Sequence, residues 1–284
     1  MDRVKKILAK IDSLPALPGV VNQVLEITAD INFDSSKLVA VVSLDPGITA
    51  NVLRRANSAF FGLAQKVSTL RQALLRIGVA NLVDISLGSG VVQLLDEDLE
   101  GYGAPRGRLW RHSLATALVA RSLAQRLNFP QATEVYTAAL LHDVGKIILS
   151  SFVADRMPAI EELMVRDRWP MIEAERKALG VDHAQLGGLA AKRWRLSEPI
   201  QSAIEFHHRP GEAFPSRDYP NLVALSNHLA NELGMNCGLD DPYPSLPPAL
   251  LFDLGFTSQD LERLKPQIKD LLERAEPLFN VAGI

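Results

Sequence analysis

The 284-residue chain contains a single cysteine, Cys237. One cysteine excludes an intrachain disulfide and a zinc site built from cysteine ligands. Any metal site must therefore use nitrogen and oxygen ligands, because no thiolate set is available. The scarcity of cysteine also favours a reducing compartment, and we expect a cytoplasmic protein.

Long apolar runs and a strong charge excess are absent as well. The longest apolar stretch, residues 85–95, has 11 residues, whereas a membrane-spanning helix needs about 20. The N-terminus opens on charged residues and lacks the apolar stretch of a signal peptide. The 30 basic and 33 acidic side chains leave a net charge of −3, so we expect neither a nucleic acid nor a membrane as the main partner. Residues 101–200 carry 14 basic and 10 acidic side chains, which agrees with an anionic ligand.

Apolar residues recur at spacings of three and four along most of the chain, as over residues 20–28. This is the period of an α-helix, and alternating strand patterns with Asn-Gly or Asp-Gly turns are absent. Asp45 before Pro46 has the form of a helix start. Gly78 and Gly180 follow helical patterns where helices are expected to stop. The sequence therefore predicts an all-α fold.

Three regions can be distinguished by composition and helix length. They are an N-terminal helical subdomain (1–100), a subdomain with longer helices (101–235) and a C-terminal helical extension (236–284). Glycines and a proline predict a connecting loop over 101–107. A proline-rich loop is predicted over 240–248, and a final amphipathic helix over 257–275.

Histidine is absent from the first 111 residues. The six histidines are His112, His142, His183, His207, His208 and His228. His142 and Asp143 follow the apolar run 137–141, so ionisable groups end a helix that is expected to be buried. On that helix His142 and Lys146, four residues apart, share a face. Buried charges need partners, and a cation bound by histidine and aspartate would provide one.

Each histidine can also be a satisfied core or surface residue, and this simpler interpretation is preferred for His228. Residues 34–57 could likewise form a helix-turn-helix bearing Arg54 and Arg55. The first 100 residues lack a basic excess, however, so we interpret the segment as a packed helical pair with two solvated arginines. Phe60 and Phe61 are expected to anchor the core or a subdomain interface.

The His142-Asp143 doublet, with His112 thirty residues earlier, resembles the motif of the HD superfamily of metal-dependent phosphohydrolases. The resemblance implies that an isolated histidine, the doublet and a distant aspartate converge on one divalent metal. Neutral imidazole and carboxylate suit Zn, Mn, Fe or Ni, and ligands on separate helices leave coordination positions open for water and a phosphate oxygen. Lys146, one turn beyond the doublet, is well placed to meet a phosphate.

Residues 44–62 resemble the signature of the HDOD domain, the HD-related output domain of bacterial signalling proteins. The Leu-Pro-Ala-Leu-Pro run of residues 14–18 and the Gln-Ala-Leu-Leu-Arg-Ile-Gly run of residues 72–78 match its pattern too. The resemblance covers roughly residues 10–235. It implies an HDOD-type N-terminal subdomain packed on an HD-like subdomain. Many HDOD proteins have lost the metal ligands and act as signalling or scaffolding modules.

The later histidines are similar to those of the HD-GYP branch, which cleaves cyclic di-nucleotides at two or three metals. The matching positions are His112, His142, Asp143, Lys146, His183, His207 and His208. Asn227 stands where HD enzymes have their final aspartate, and its amide oxygen brings no negative charge. The Gly-Tyr-Pro segment is missing, since the chain reads Arg-Pro-Gly-Glu-Ala-Phe-Pro over residues 209–215. These departures weaken the expectation of cyclic di-nucleotide hydrolysis more than that of metal binding.

Two functions remain open. The first is a signal-transduction output or interaction module that retains a metal site and meets a signalling protein partner. The second is an active phosphohydrolase for a nucleotide or cyclic di-nucleotide, with Asp143 and Lys146 as catalytic residues and a phosphate-containing small molecule as substrate. The two departures favour the first. Both predict a divalent transition metal (Fe, Mn, Ni or Zn), as one ion or two bridged by Asp143. The predicted ligands are His112, His142, Asp143, His183, His207, His208 and Asn227.

Overall fold

The computed structural model describes residues 2–30, 32–239 and 246–280. Within these ranges the chain is helical, and its extended backbone pairs only as an isolated bridge between Leu99 and Ala104. The predicted all-α fold is confirmed. The α-helices are α1 Asp2–Ile11, α2 Gly19–Thr28, α3 Ser35–Val42, α4 Pro46–Ala56, α5 Leu70–Leu95, α6 Arg108–Arg126, α7 Ala132–Leu141, α8 Gly145–Ala154, α9 Met157–Val165, α10 Met171–Leu179, α11 His183–Arg193, α12 Glu198–Phe206, α13 Asp218–Glu232, α14 Pro248–Asp253, α15 Ser258–Arg274 and α16 Glu276–Phe279.

The N-terminal helices begin where the sequence predicts. The Asp45 carboxylate accepts a hydrogen bond from the Ile48 amide at 2.9 Å, and Pro46 occupies the first turn of α4. The helix stop predicted at Gly78 is confirmed, because the residue has the non-helical angles φ 81° and ψ 165°. It forms a kink at which the two helical parts of α5 meet. Such a backbone conformation is accessible to glycine with little strain.

The central helices α6, α7, α12 and α13 pack against one another, and α11 packs on α12 and α8. Their facing surfaces are apolar and belong to one continuous core. Contrary to the expectation from the sequence, two stretches, Leu70–Leu95 and Ala132–Ala154, are long and apolar enough to cross a membrane. Their most apolar parts are 61% and 78% buried inside the protein, as is usual for core helices.

Helix α1 belongs to the first predicted region but contacts helices of the second. The Arg193 guanidinium of α11 donates to the Ile11 carbonyl at 2.8 Å, and the Lys10 ammonium donates to the Ser151 hydroxyl at 2.9 Å. The first helix is therefore attached to helices of the HD-like part. The division at residue 100 stays a prediction.

The C-terminal end differs in one respect from the sequence prediction. The amphipathic helix α15 begins with a capping box of Thr257 and Asp260, as the pattern indicates. It is followed by α16, so it is not the last helix. The proline-rich loop predicted over 240–248 falls largely on residues 240–245, which lie outside the described residues.

The interpretation of Arg55 as a solvated side chain is wrong. Arg55 is buried, its guanidinium donates to the Leu278 carbonyl, and it lies 5.0 Å from the Trp110 ring centre. The Trp110 indole N–H donates to the Phe279 carbonyl at 3.1 Å. The C-terminal residues thus join α4 to α6, which explains the burial. Phe60 and Phe61 pack against the core as predicted.

Two glycines permit the close approach of α8 and α11. A Cβ atom on Gly145 would lie 1.8 Å from the His183 carbonyl oxygen, and one on Gly187 would lie 2.8 Å from the Ile204 side chain. Gly187 thus allows close helix packing near His183. The same contact brings the segment after α7 beside the start of α11.

We expect Gly145→Ala to lower the free energy of unfolding by about 3 kcal/mol, because the new methyl group must displace backbone. Gly19→Ala is the matched control, since no atom lies within 4 Å of a Cβ there. Its effect should stay within about 1 kcal/mol. Urea unfolding followed by circular dichroism measures both values. Equal stability of the two variants would contradict the close-contact account.

Candidate metal centre

Asp143 lies at the centre of a cluster of histidines drawn from four separate segments. His112 comes from α6, His142 lies beside Asp143, and His183 is the first residue of α11. His207 and His208 follow the last residue of α12. The side chains of all but His208 are buried, and His208 is half-buried.

The His142-Asp143 doublet does not lie within a helix, contrary to the sequence prediction. The helix α7 ends at Leu141, residues 142–144 form a turn, and α8 begins at Gly145. His142 and Lys146 therefore do not share the face of one helix. The turn instead aims Asp143 at the middle of the cluster and places the Lys146 ammonium 2.8 Å from Asp143 Oδ2.

One side of the cluster is formed by Oδ2 of Asp143. The Nε2 atoms of His112 and His142 lie 3.4 Å and 3.5 Å from this oxygen. The same two nitrogen atoms are 3.2 Å apart. These three residues present two imidazole nitrogens and one carboxylate oxygen to a common point, a set that suits a borderline divalent metal.

The other side is formed by Oδ1 of Asp143. The Nε2 atoms of His183 and His207 lie 3.4 Å and 3.8 Å from it. The Nε2 atom of His208 is 3.1 Å from that of His183. Asp143 is thus shared by two groups of metal-ligating side chains, one on each carboxylate oxygen.

The outward-facing Nδ1 atoms fix the tautomer of three imidazoles. Nδ1 of His112 meets the Met235 carbonyl at 2.6 Å, and Nδ1 of His142 meets the Ala139 carbonyl at 2.7 Å. His207 does the same with the Ile204 carbonyl at 2.7 Å. A carbonyl oxygen only accepts hydrogen bonds, so each Nδ1 carries the proton. In a neutral ring the inward Nε2 atom is therefore unprotonated, and its lone pair points into the cluster.

This arrangement leaves lone pairs facing one another without a proton between them. A hydrogen bond between Nε2 of His112 and Nε2 of His142 would require a second proton on one ring. Burial lowers the pKa of His142 to about 4, so this ring is neutral at neutral pH. The buried Nε2 of His207 and Oδ1 of Asp143 also lack a hydrogen bond, while Oδ2 of Asp143 has the Lys146 ammonium 2.8 Å away. Buried polar atoms are normally paired, and a cation would pair all of these at once. The side chains therefore fit a divalent transition metal.

Charge and burial also set the protonation states of Asp143, His207 and His208. Burial alone would raise the pKa of Asp143, but the Lys146 ammonium and the surrounding histidines together outweigh it and hold that pKa well below its usual value. Burial also lowers the pKa values of His207 and His208. The cluster thus offers an ionised carboxylate at Asp143 and neutral imidazoles at His142, His207 and His208, which are the protonation states that metals bind.

Glu175 of α10 supports the cluster, and sequence reasoning missed it. Its Oε2 accepts hydrogen bonds from Nδ1 of His183 at 2.8 Å and from the His183 amide at 2.9 Å. Its Oε1 accepts from the Tyr102 hydroxyl at 2.7 Å. Burial opposes the charged form of His183, but the Glu175 carboxylate outweighs burial and raises the pKa of that imidazole. The residue belongs to no recognisable motif, so the sequence offered no signal for it.

Asn227 and His228 lie on α13, which packs against α6 and α7. Asn227 Oδ1 accepts a hydrogen bond from the Asn231 amide at 3.2 Å. Its predicted role as a ligand stays a prediction. His228 pairs with Glu232 at 3.6 Å, away from the two ligand groups, in agreement with the preference for a non-ligand interpretation.

Comparisons with known proteins agree with this architecture. The sequence profile of the HDOD domain family matches residues 14–210. The chain belongs to the HDOD family. An uncharacterized protein of Treponema pallidum (strain Nichols) is 28% identical over 265 residues, which cover 91% of this chain and 49% of that protein. This HDOD chain thus spans about half the length of the curated relative it matches.

Solved structures share the fold at low sequence identity. An HDOD domain protein of unknown function from Geobacter sulfurreducens has a TM-score of 0.77 and 23% identity, covering 98% of this chain and 99% of that one. A protein provisionally named a phosphohydrolase from Shewanella amazonensis SB2B has a TM-score of 0.68 and 23% identity, covering 94% and 97%. A provisionally named signal transduction protein from Marinobacter aquaeolei VT8 has a TM-score of 0.79 and 21% identity, covering 98% and 64%. At these identities the likeness concerns the fold alone.

We expect His142→Ala to abolish stoichiometric binding of a divalent transition metal in protein purified without chelator. The change removes one inward lone pair from the buried set and leaves the others. His228→Ala is the matched control and should keep the wild-type metal content. Elemental analysis of the three proteins measures the outcome. Full metal retention by His142→Ala would refute the assignment of this cluster.

Glu175→Gln should weaken metal binding about 10–100-fold, because an amide orients and polarises the His183 imidazole less strongly than a carboxylate. Glu173→Gln is the control on the same helix, where the carboxylate pairs with Arg176 instead. Competition with a chelator of known affinity gives the dissociation constants. If both variants bind as tightly as the wild type, Glu175 has no supporting role.

Proposed function

We propose that this HDOD chain is a bacterial signal-transduction output module, cytoplasmic, whose HD-like part binds one or two divalent transition metal ions. The predicted ligands are His112, His142, Asp143, His183, His207, His208 and Asn227. The metal, in this proposal, stabilises the junction of α6, α8, α11 and α12 and so maintains the surface that a signalling protein recognises. The observation that carries it is the set of inward, unprotonated Nε2 atoms around a shared, buried carboxylate.

Burial of the cluster favours a structural or regulatory metal over a catalytic one. His112, His142, Asp143 and His183 are at most 1% exposed. A phosphate ester cannot reach atoms so covered unless the surrounding helices move apart. Ligands that come from four segments can, however, couple metal binding to the packing of those segments, because binding free energy adds to folding free energy.

Lys146 acts in this proposal as a charge partner of Asp143. Its ammonium lies 2.8 Å from the carboxylate and 5.5 Å from the centre of the Tyr102 ring. The ammonium and the ring together hold the carboxylate ionised in a buried environment. An anionic group that approached Lys146 would have to compete with Asp143 for it.

The second candidate function is a metal-dependent phosphohydrolase, and the presence of Lys146 at the cluster favours it. A bound divalent metal would lower the pKa of a coordinated water and offset phosphate charge. In that case Asp143 would hold the ions together and Lys146 would orient a phosphate oxygen. Asn227, which brings no charge, would weaken the first of the two sites.

One hydrolysis experiment distinguishes the two functions. Metal-loaded wild type, tested with Mn, Fe and Ni on cyclic di-nucleotides and an aryl phosphodiester, should show no turnover above that of Asp143→Asn. Removal of the metal should instead lower the melting temperature of the wild type and leave that of His142→Ala unchanged. Turnover that is lost in Asp143→Asn would overturn the module and establish the enzyme.

Asn227→Asp should tighten binding of the weaker ion, because it adds the negative charge that the amide lacks. If the residue is no ligand, the added carboxylate should only destabilise a packed polar site, by about 1–3 kcal/mol. Metal titration and thermal unfolding of the same variant distinguish the two results. Loss of stability without any gain in metal affinity would remove Asn227 from the ligand set.

A further inference from the structure

Tyr102 lies in the turn that connects the N-terminal helices to α6. The turn spans residues 99–104, between α5 and α6, and its ends meet in the isolated bridge between Leu99 and Ala104. The sequence predicts only a connecting loop at this place. Tyr102 is nevertheless fully buried, as are Leu99 and Ala104 on either side of it. This connection is therefore anchored in the core and does not lie free on the surface.

The backbone of the turn is fixed from two sides. The Gly101 amide donates to the Ser150 hydroxyl of α8 at 3.1 Å, and a Cβ atom on Gly101 would lie 2.0 Å from the Ser150 carbonyl oxygen. The Tyr102 carbonyl accepts from the Leu239 amide at 2.7 Å. The turn cannot slide along α8 without breaking these contacts, so the point from which the Tyr102 side chain extends is set by the fold.

The Tyr102 hydroxyl ends at the carboxylate that orients His183. It donates to Oε1 of Glu175 at 2.7 Å, while Oε2 of the same carboxylate accepts from Nδ1 and from the amide of His183. Glu175 is fully buried. Removal of the hydroxyl would thus leave a buried carboxylate oxygen without its donor, and the carboxylate would lose the contact that holds its second oxygen toward His183.

The ring of Tyr102 also lies beside Lys146. The Lys146 ammonium is 5.5 Å from the ring centre and 2.8 Å from Oδ2 of Asp143. One tyrosine therefore contacts both side chains that act on predicted ligands from outside the cluster, since Glu175 orients His183 and Lys146 keeps Asp143 ionised.

We propose that Tyr102 is a positioning residue of the metal centre, and that through it the bound metal strengthens the attachment of the 99–104 turn. The inference rests on the proposed metal binding. The hydroxyl holds Glu175 so that Nε2 of His183 stays directed at Asp143, 3.4 Å away. Coupling of this kind is reciprocal. If the hydroxyl tightens metal binding by some factor, the metal stabilises the turn by the same factor, and the connection to the N-terminal helices depends on metal occupancy.

Tyr219 provides a matched control. Its hydroxyl donates to Oε2 of Glu134 at 2.6 Å, and its side chain is buried. Tyr219→Phe therefore removes the same kind of tyrosine–glutamate hydrogen bond. Glu134 pairs with the Ser197 hydroxyl, however, and with no histidine of the cluster. A loss of stability that both variants share cannot explain a loss of metal affinity in one of them.

Tyr102→Phe in the full chain should weaken zinc and manganese binding about tenfold, the lower end of the range for outer partners of metal-ligating histidines. Tyr219→Phe should bind both metals as the wild type does. In a Glu175→Gln background the same tyrosine change should weaken binding less than about threefold, because the tyrosine acts through that carboxylate. Competition with a chelator of known affinity gives the dissociation constants, and circular dichroism verifies that each variant is folded.

Amide hydrogen exchange measures the coupling in the reverse direction. The Leu99 amide donates to the Ala104 carbonyl and the Tyr102 amide to the Leu99 carbonyl, each at 2.9 Å. Saturating zinc should slow exchange of these amides in the wild type about tenfold, the factor expected from the affinity change. In Tyr102→Phe, zinc should leave their exchange unchanged.

The results distinguish a failure of this inference from a failure of the proposed function. A wild type that binds no divalent metal would overturn both. Wild-type metal affinity in a folded Tyr102→Phe variant, or an equal loss in Tyr219→Phe, would overturn the positioning role and leave the metal centre in place. Exchange in the turn that does not respond to zinc would overturn the coupling. This last comparison uses the wild type and decides the matter even if Tyr102→Phe does not fold.

Discussion

The arrangement around Asp143 depends on one constraint. A neutral imidazole carries one N–H, and when its Nδ1–H donates to an acceptor outside the cluster, the unprotonated Nε2 points its lone pair into the cluster. His112, His142 and His207 each donate Nδ1–H to a backbone carbonyl, and His183 donates to Glu175. The unprotonated nitrogens of His112 and His142, 3.2 Å apart, repel one another unless positive charge lies between them. Lys146 supplies some of that charge, but only to one oxygen of Asp143. A divalent ion is the simplest addition that satisfies the whole set.

Much of the surrounding fold serves to bring these atoms together. Apart from His112, which lies within α6, the clustered side chains lie at helix ends, where a turn or cap can aim a side chain that a continuous helix would direct elsewhere. Gly145 allows α8 to approach α11, and Gly187 allows α11 to approach α12, within distances that no Cβ atom permits. The carbonyl of Met235, beyond the end of α13, fixes the His112 ring. The centre therefore depends on segments that are distant in sequence, which is why metal loss and loss of packing are expected to accompany each other.

The sequence predicted which side chains form the cluster better than it predicted how they are arranged. The His142-Asp143 doublet and the spaced histidines identified the cluster because metal ligands are restricted to few residue types. The turn at 142–144 was missed, since an apolar run before a polar doublet has the same pattern whether or not the helix continues. Glu175 was missed because a carboxylate that hydrogen-bonds to a ligand is chemically like any surface glutamate in sequence. The burial of Arg55 was missed because it depends on the Leu278 carbonyl, a contact that no local pattern encodes.

For the central claim, the most direct measurement is anomalous X-ray diffraction from crystals of the wild type purified without chelator, recorded on both sides of the absorption edge of the metal that it contains. The account predicts an anomalous peak within bonding distance of Asp143 and of Nε2 atoms of the histidine cluster. Crystals with no such peak at the cluster, or with the metal bound only elsewhere on the chain, would contradict it.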